Sequence, residues 1–333
     1  MKPIYSKLFF LTVLVTLLMS CSKDEDTVAP VTKDIYVSGN VDPTNSGLTR
    51  ATYWKNGQPN HLTESTILSN AKGIYVADNG DVYVCGYIQN SNFILNACYW
   101  KNGVLTNLGS ATLLSYAEKI VVSGSDIYVV GEETNASGTE LAVIWKNGVK
   151  TTLSTIESYT RDLIVSGTDV YVGGAQKNAS GILVAKIWKN NVASNLTNGT
   201  TTAAIFGLKV VGSDLYAVGG EGDYAKLWKN GNASFLSLGV NYAIGLKVEV
   251  VGPDVYVAGY ENNSGGISIA KIWKNGDATS LSDGLIFSEV SDLKIFGNDV
   301  YAVGRYGNKA IFWKNNVQTE LSATGVANSI FIK

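Results

Sequence analysis

The chain is poor in the residues that carry most protein chemistry. Histidine occurs once, as His61, and cysteine three times, as Cys21, Cys85 and Cys98, in 333 residues. A Ser-His-Asp or Cys-His nucleophile would have to be assembled around His61 alone. No His/Cys grouping has the spacing of a zinc site, so no metal is expected. Charged residues make up 16% of the sequence and no long basic run occurs, which argues against nucleic acid as a partner. The longest apolar run, Leu8–Met19, is too short to span a bilayer. No segment has helical periodicity, so no glycine-rich phosphate loop opens a helix, and no cofactor is expected.

What the chain has instead is repetition. Its seven tryptophans are Trp54, Trp100, Trp145, Trp188, Trp228, Trp273 and Trp313. Each is followed by Lys-Asn, preceded by Ala three residues earlier and followed by Leu eight residues later. The spacings are 46, 45, 43, 40, 45 and 40 residues. A fixed period in this range marks a solenoid, a propeller or an array. A second phrase, D-[IVL]-Y-[VA]-x-G, begins at Asp34, Asp81, Asp126, Asp169, Asp214, Asp254 and Asp299. Apolar alternation ending in a Gly turn precedes it, as in Ile120-Val121-Val122-Ser123-Gly124, and a last segment follows the Trp. Each repeat therefore reads as four short strands.

The third and fourth strands are joined by Asn-Gly five times and by Asn-Asn at Asn190-Asn191 and Asn315-Asn316. Both central residues of a type I′ turn need positive φ, which these residues tolerate. Four strands in each of seven units predict an all-β, seven-bladed propeller of antiparallel sheets over residues 34–333. The first repeat lacks a first strand, and the chain ends on one, Ala327–Lys333, with nothing after it. Joined, these fragments complete the first blade and close the ring. Two-residue loops at Glu221-Gly222 and Tyr306-Gly307 would place Asp214 opposite Lys229 and Asp299 opposite Lys314. Each Trp then packs between blades, facing Leu215 or Val300 in those two repeats. The same count puts Cys85 opposite Ala97, which predicts two buried thiols rather than a disulfide. The seven repeated Asp read as turn caps paired with a cross-strand lysine.

The first twenty residues read as a leader: Lys2 and Lys7, an apolar run, then Leu18-Met19-Ser20-Cys21. That ending resembles a bacterial lipobox, which implies lipidation of Cys21 and a membrane anchor of buried acyl chains. Residues 21–33 then form a lipidated, acidic linker. Ser22-Lys23-Asp24-Glu25-Asp26 resembles the surface-export signal of Bacteroidetes lipoproteins, and Asp26-Thr27-Val28 resembles their O-glycosylation motif. Without Lys2 and Lys7 the chain has 24 basic against 28 acidic side chains. The phrase Ala97-Cys98-Tyr99-Trp100-Lys101-Asn102-Gly103 through Leu108-Gly109 is similar to the extracellular HAF repeat, as is Ile144-Trp145-Lys146-Asn147-Gly148. More broadly the chain resembles propeller-repeat surface lipoproteins of Bacteroidetes. The resemblance implies an outer-membrane, lipid-anchored, cell-surface protein and supplies no catalytic residue.

Function is sought where the repeat breaks. Loops between second and third strands, and between blades, vary in length and sequence, and variable loops on a rigid ring carry binding. The residue after each D-V-Y-V-x-G phrase runs Asn40, Tyr87, Glu132, Ala175, Gly220, Tyr260 and Arg305. Inter-blade segments add Tyr116, Glu118, Arg161, Asp162, Tyr242, Glu289 and Asp292. Tyrosines for sugar faces, with carboxylates and arginine for hydroxyls, make Tyr87, Glu132, Tyr260, Arg305, Arg161 and Asp162 the ligand-binding candidates. The expected function is non-enzymatic binding of a glycan or an envelope protein. Two alternatives are a glycosidase with paired rim carboxylates, Glu132 with Asp162 or Glu289 with Asp292, and a structural or adhesive surface element.

Overall fold

The structure is a computed structural model and describes residues 33–333. The leader, Cys21 and the acidic run lie outside the described residues. From Ile35 to Ile332 the described chain forms twenty-eight strands in seven four-stranded antiparallel sheets. This is the seven-bladed propeller expected from the repeat. The C-terminal strand Gly325–Ile332 pairs with Ile35–Val41 as the innermost strand of blade 1. Asp34 N donates to Lys333 O and Lys333 N to Asp34 O, at 2.8 and 3.0 Å, so the two chain ends are laced together.

Each Trp is almost fully buried and packs against the preceding blade. Trp145 of blade 3 lies with Tyr83, Cys85 and Ala97 of blade 2, and Trp228 of blade 5 with Ala185 and Ile187 of blade 4. Trp54 of blade 1 lies with Tyr301, Val303 and Ala310 of blade 7. The core is thus a ring of seven inter-blade clusters. The repeated Ala leaves space for the neighbour: Ala97 is fully buried and its N–H donates to Ser115 Oγ of the next blade at 2.9 Å.

One face carries only tight turns. Asn56-Gly57 has φ of 51° and 80°, and Asn190-Asn191 has 50° and 69°, as type I′ requires. The Asp, Lys, Asn and Tyr of the two repeated phrases assemble beside them. In blade 5, Lys229 Nζ lies 2.7 Å from Asp214 Oδ2 and 5.1 Å from the Tyr216 ring centroid. Asn230 Nδ2 donates to Asp214 Oδ1 at 2.7 Å, and its Oδ1 accepts from Leu215 N. The Asp–Lys pair recurs in all seven blades, so these carboxylates are turn caps.

The register differs from the expected one by two residues. Lys229 stands opposite Tyr216, and Trp228 opposite Ala217 rather than Leu215. Lys314 stands opposite Tyr301, and Trp313 opposite Ala302 rather than Val300. The two-residue loops are Gly222-Asp223 and Gly307-Asn308, with both glycines at φ 59° in the first central position. A type II′ turn needs Gly there, not in the second place where counting had put it. Sheet side chains alternate with period two, so the slip preserves every face. The Asp–Lys pair survives as a diagonal contact. Cys85 faces Tyr99 instead of Ala97, while Cys98 faces Gly86, and both thiols are free and buried.

Candidate functional site

Every inner strand contains one bulge, at the same height in all seven blades. The cause is visible in the repeated phrase. Its closing Gly in the second strand stands opposite the bulge, and a Cβ there would lie 1.8 Å from Tyr116 O at Gly131 and 1.9 Å from Asn70 O at Gly86. Only glycine admits that carbonyl. The bulged residue is left unpaired, and bulges re-aim a side chain in this way.

The seven re-aimed residues are Lys72, Glu118, Arg161, Phe206, Leu246, Ser291 and Asn328, and together they line a cavity of about 280 Å³ on the axis. It lies toward the face of variable loops. The scaffold repeats sevenfold, yet no two of these residues are alike. Blades 2 to 4 contribute Lys72, Glu118 and Arg161, and blades 5 and 6 contribute Phe206 and Leu246. The mouth is therefore charged on one side and apolar on the other.

One residue further along the inner strands comes a second ring: Gly73, Lys119, Asp162, Gly207, Lys247, Asp292 and Ser329. Gly-Lys-Asp occurs twice around it, over blades 2–4 and 5–7. A Cβ on Gly207 would lie 2.8 Å from Leu246 O, so the neighbouring blade fills that place. Asp162 Oδ2 accepts from Leu208 N at 2.7 Å and from Lys247 Nζ at 2.6 Å, and Oδ1 accepts from Leu163 N. Asp292 Oδ2 accepts from Ser329 Oγ at 2.6 Å and Ile330 N at 3.1 Å, and Oδ1 accepts from Leu293 N. Both aspartates thereby tie their inner strand to the next blade. Lys119 and Lys247 also line the cavity on the tight-turn side, so this ring divides the channel. Beyond it Glu249 is paired with both Lys209 and Lys294.

Burial alone would raise the Asp292 carboxyl, but Lys119, Lys247 and Lys294 outweigh it and hold it below its ordinary value. Glu249 behaves alike: burial is overcome by Lys294 and Lys209. Lys119 is the reverse case. Burial, reinforced by Lys247, lowers its proton affinity.

The expected candidates divide into two groups. Glu132 and Arg161 meet at 2.8 Å, Glu132 Oε1 also accepts from Thr160 N at 2.8 Å, and Arg161 lies 4.4 Å over the Tyr159 ring. Burial pushes the Glu132 carboxyl up to about 8 against the pull of Arg161. Asp162 sits in the dividing ring, with its oxygens taken. By contrast Tyr87, Tyr260 and Arg305 are half-buried on the second strands of their blades, and none of them lines the channel cavity. Tyr87 meets Tyr116 edge-on at 5.3 Å between ring centroids. Tyr260 lies 6.2 Å from Tyr242 and 6.3 Å from Phe287. Arg305 stacks 4.2 Å over Phe287, with Nε 3.1 Å from Glu289 Oε1. His61 is far out in its blade, on the outer strand, with Nδ1 3.0 Å from Thr52 Oγ1. Among the described residues no group of three or more His, Cys, Asp or Glu is placed to hold a metal ion.

Sequence reasoning did not single out Lys72, Lys119, Phe206, Lys247, Leu246 or Asn328. The signal was present: a glycine recurring inside a strand marks a bulge or a close backbone approach, and the bulged residue lies directly across from it.

Neither any family model nor any curated protein matches the sequence. Solved structures do match in shape. A Mycobacterium tuberculosis puromycin-hydrolyzing peptidase superposes with a TM-score of 0.57 at 12% identity, covering 87% of this chain and 52% of that one. A Pyrococcus horikoshii acylaminoacyl peptidase gives 0.54 at 9%, covering 87% and 51%. The present chain thus spans about half the length of these two. The β-propeller domain of the Trilobed protease from Pyrococcus furiosus gives 0.50 at 9%, covering 88% and 95%. That domain is described as having an open velcro topology, whereas here the C-terminal strand closes blade 1. At these identities the likeness is one of fold.

Proposed function

We propose that the channel mouth on the variable-loop face binds a saccharide, in a lipoprotein of the cell envelope, without catalysis. The observation that carries the reading is the break in symmetry at the bulge ring. Seven equivalent positions lining the cavity hold seven different residues, charged on one side and apolar on the other, and Tyr87, Tyr116, Tyr242, Tyr260 and Phe287 stand outside that lining, toward the variable-loop ends of their blades. A concave site with an apolar wall of Phe206 and Leu246 facing convergent polar groups suits a ligand having both apolar faces and hydroxyls. The envelope assignment rests on the lipobox-like ending at Cys21.

The test is retention and reducing-end release of a polysaccharide panel on the purified protein. Retention without release is expected, weakened at least ~5-fold in Tyr260→Ala by loss of aromatic contact. Release abolished by Glu132→Gln would instead establish the glycosidase reading. A second binding reading has its own support. Leu238, Val240 and Leu285, in the loops entering blades 6 and 7, are 85%, 81% and 75% exposed. Failure to retain any glycan, together with recovery of one envelope protein lost on Leu238→Ser and Leu285→Ser, would make the partner a protein.

A further inference from the structure

The dividing ring is asymmetric in what it leaves over. Its acceptors are consumed: both oxygens of Asp162 and of Asp292 already take backbone, hydroxyl or ammonium hydrogens. Its donors are not. Lys247 is held at 2.6 Å by Asp162, but Lys119 has only Ser329 Oγ at 3.3 Å, with Asp292 at the 4.0 Å limit of an ion pair. An ammonium has three hydrogens to give. Above it, Lys72 reaches Glu118 only at 3.9 Å. Arg161 spends one nitrogen, Nη1, on Glu132 and on Thr160 O. Lys72, Lys119 and Arg161 all line the same cavity. Across from them stand Phe206 and Leu246, which offer nothing to a polar group.

We propose that the mouth selects an acidic saccharide, whose carboxylate or sulfate enters the channel and is held by Lys119 and Lys72. The inference rests on the saccharide reading above and names the class of sugar. A buried cation with no close counter-ion is costly, and an entering anion relieves that cost where a neutral hydroxyl does not. The side chain of Lys119 lies between the two cavities, so the anionic group descends to the floor of the mouth and stops at the dividing ring. Glu118, Asp162 and Asp292 are the carboxylates facing the same space, the two aspartates already spent on the hydrogen bonds named above. Glu118 repels an entering anion, and Lys72, Lys119 and Arg161 around it outnumber that charge.

The test compares three ligands by calorimetric titration on the purified full chain: oligogalacturonate, its carboxyl-reduced counterpart, and a sulfated oligogalactan. The acidic ligands are expected to bind at least ~10-fold more tightly than the reduced one, with affinity falling as salt rises. Lys119→Met and Lys72→Gln should each abolish that preference, so that in either variant the acidic ligands bind no more tightly than the reduced one. Tighter binding of the carboxylate or of the sulfate identifies which group is taken. Equal binding of acidic and reduced ligands overturns the anion site and leaves the saccharide reading standing. No binding of any of the three, with a neutral glycan retained elsewhere on the panel, also overturns it. If no glycan of any kind binds, the saccharide reading falls first. Lys72→Gln, a half-exposed residue, keeps the test decisive should Lys119→Met fail to fold.

Discussion

Single residues in the channel carry opposite energetics although they look alike in sequence. Lys247 and Lys119 occupy the same position in blades 6 and 3. Removing the Lys247 charge strands Asp162 in the interior, and breaking such a buried pair typically costs about 3–5 kcal/mol. Lys247→Met is therefore expected to lower stability by that order in denaturant titration. Lys119 has no counter-ion at contact distance. Its proton affinity is lowered in the fold, so its charge opposes folding at every pH below its unfolded pKa. Lys119→Met removes a destabilised charge but also the largest of the lysine fields that hold Asp292, so its cost should be smaller than that of Lys247→Met, and an equal loss would show that Lys119 is firmly paired. The two paired carboxylates set an acid limit. Asp292 and Glu249 are held below their ordinary values by lysines. Their contribution is present above the ordinary carboxylate range and lost as pH falls through the depressed values. Melting temperature should therefore drop below about pH 4, and the drop should be shallower in Asp292→Asn.

At the scale of the strand and turn, the repeat explains its own letters, and its exceptions stand out. Four second-to-third-strand loops share one five-residue form, with a positive-φ residue fourth: Gly138, Gly181 and Gly266, but Phe93 in blade 2, at φ 62°. Phe93 is 81% exposed, so no burial offsets its strain. Phe93→Gly is expected to stabilise by about 1 kcal/mol, since the left-handed region costs a side chain roughly that much. No gain in chemical denaturation would mean that the loop relaxes freely. The glycine opposite each bulge is the contrary case. In Gly131→Ala the new Cβ would meet Tyr116 O at 1.8 Å, so the bulge must move. The expected cost is about 1–3 kcal/mol, and ligand affinity should fall with it because Glu118 is re-aimed; stability lost with affinity intact would separate the bulge from the site. The period-two pattern and the Asn-Gly turns made every hairpin readable. The loop at Gly222-Asp223 was displaced by one residue because type II′ geometry, not length, decides where the glycine sits.

For the whole molecule, closure is the main device. Blade 1 is built from both ends of the propeller, so the inter-blade clusters beside it depend on the last strand. Trp54 packs with Ala327 and Ile330. Asp292 of blade 7 accepts from Ile330 N. A chain ending at Thr324 would expose that edge, and an open edge pairs with other chains. It is expected to aggregate or to lose a single cooperative transition, while adding residues 325–333 as a peptide should restore both. A truncated chain that melts as one unit at the wild-type temperature would show that closure is dispensable.

The sequence alone determined the number of blades, the strand order, the closing strand, the burial of the tryptophans and the pairing of the repeated Asp with Lys. Each of these is local or periodic, and seven copies of one pattern leave little freedom. The tertiary structure decided the site. Lys72, Phe206 and Asn328 lie 134 and 122 residues apart in sequence, and only the bulge in each inner strand turns them toward one axis. Glu132, which reads from sequence as an open rim carboxylate, is instead drawn against Arg161 and Thr160 N because blade 4 packs over it. Which charges end up paired and which donors are left over depends on blades that meet across the channel, and no spacing along the chain encodes that.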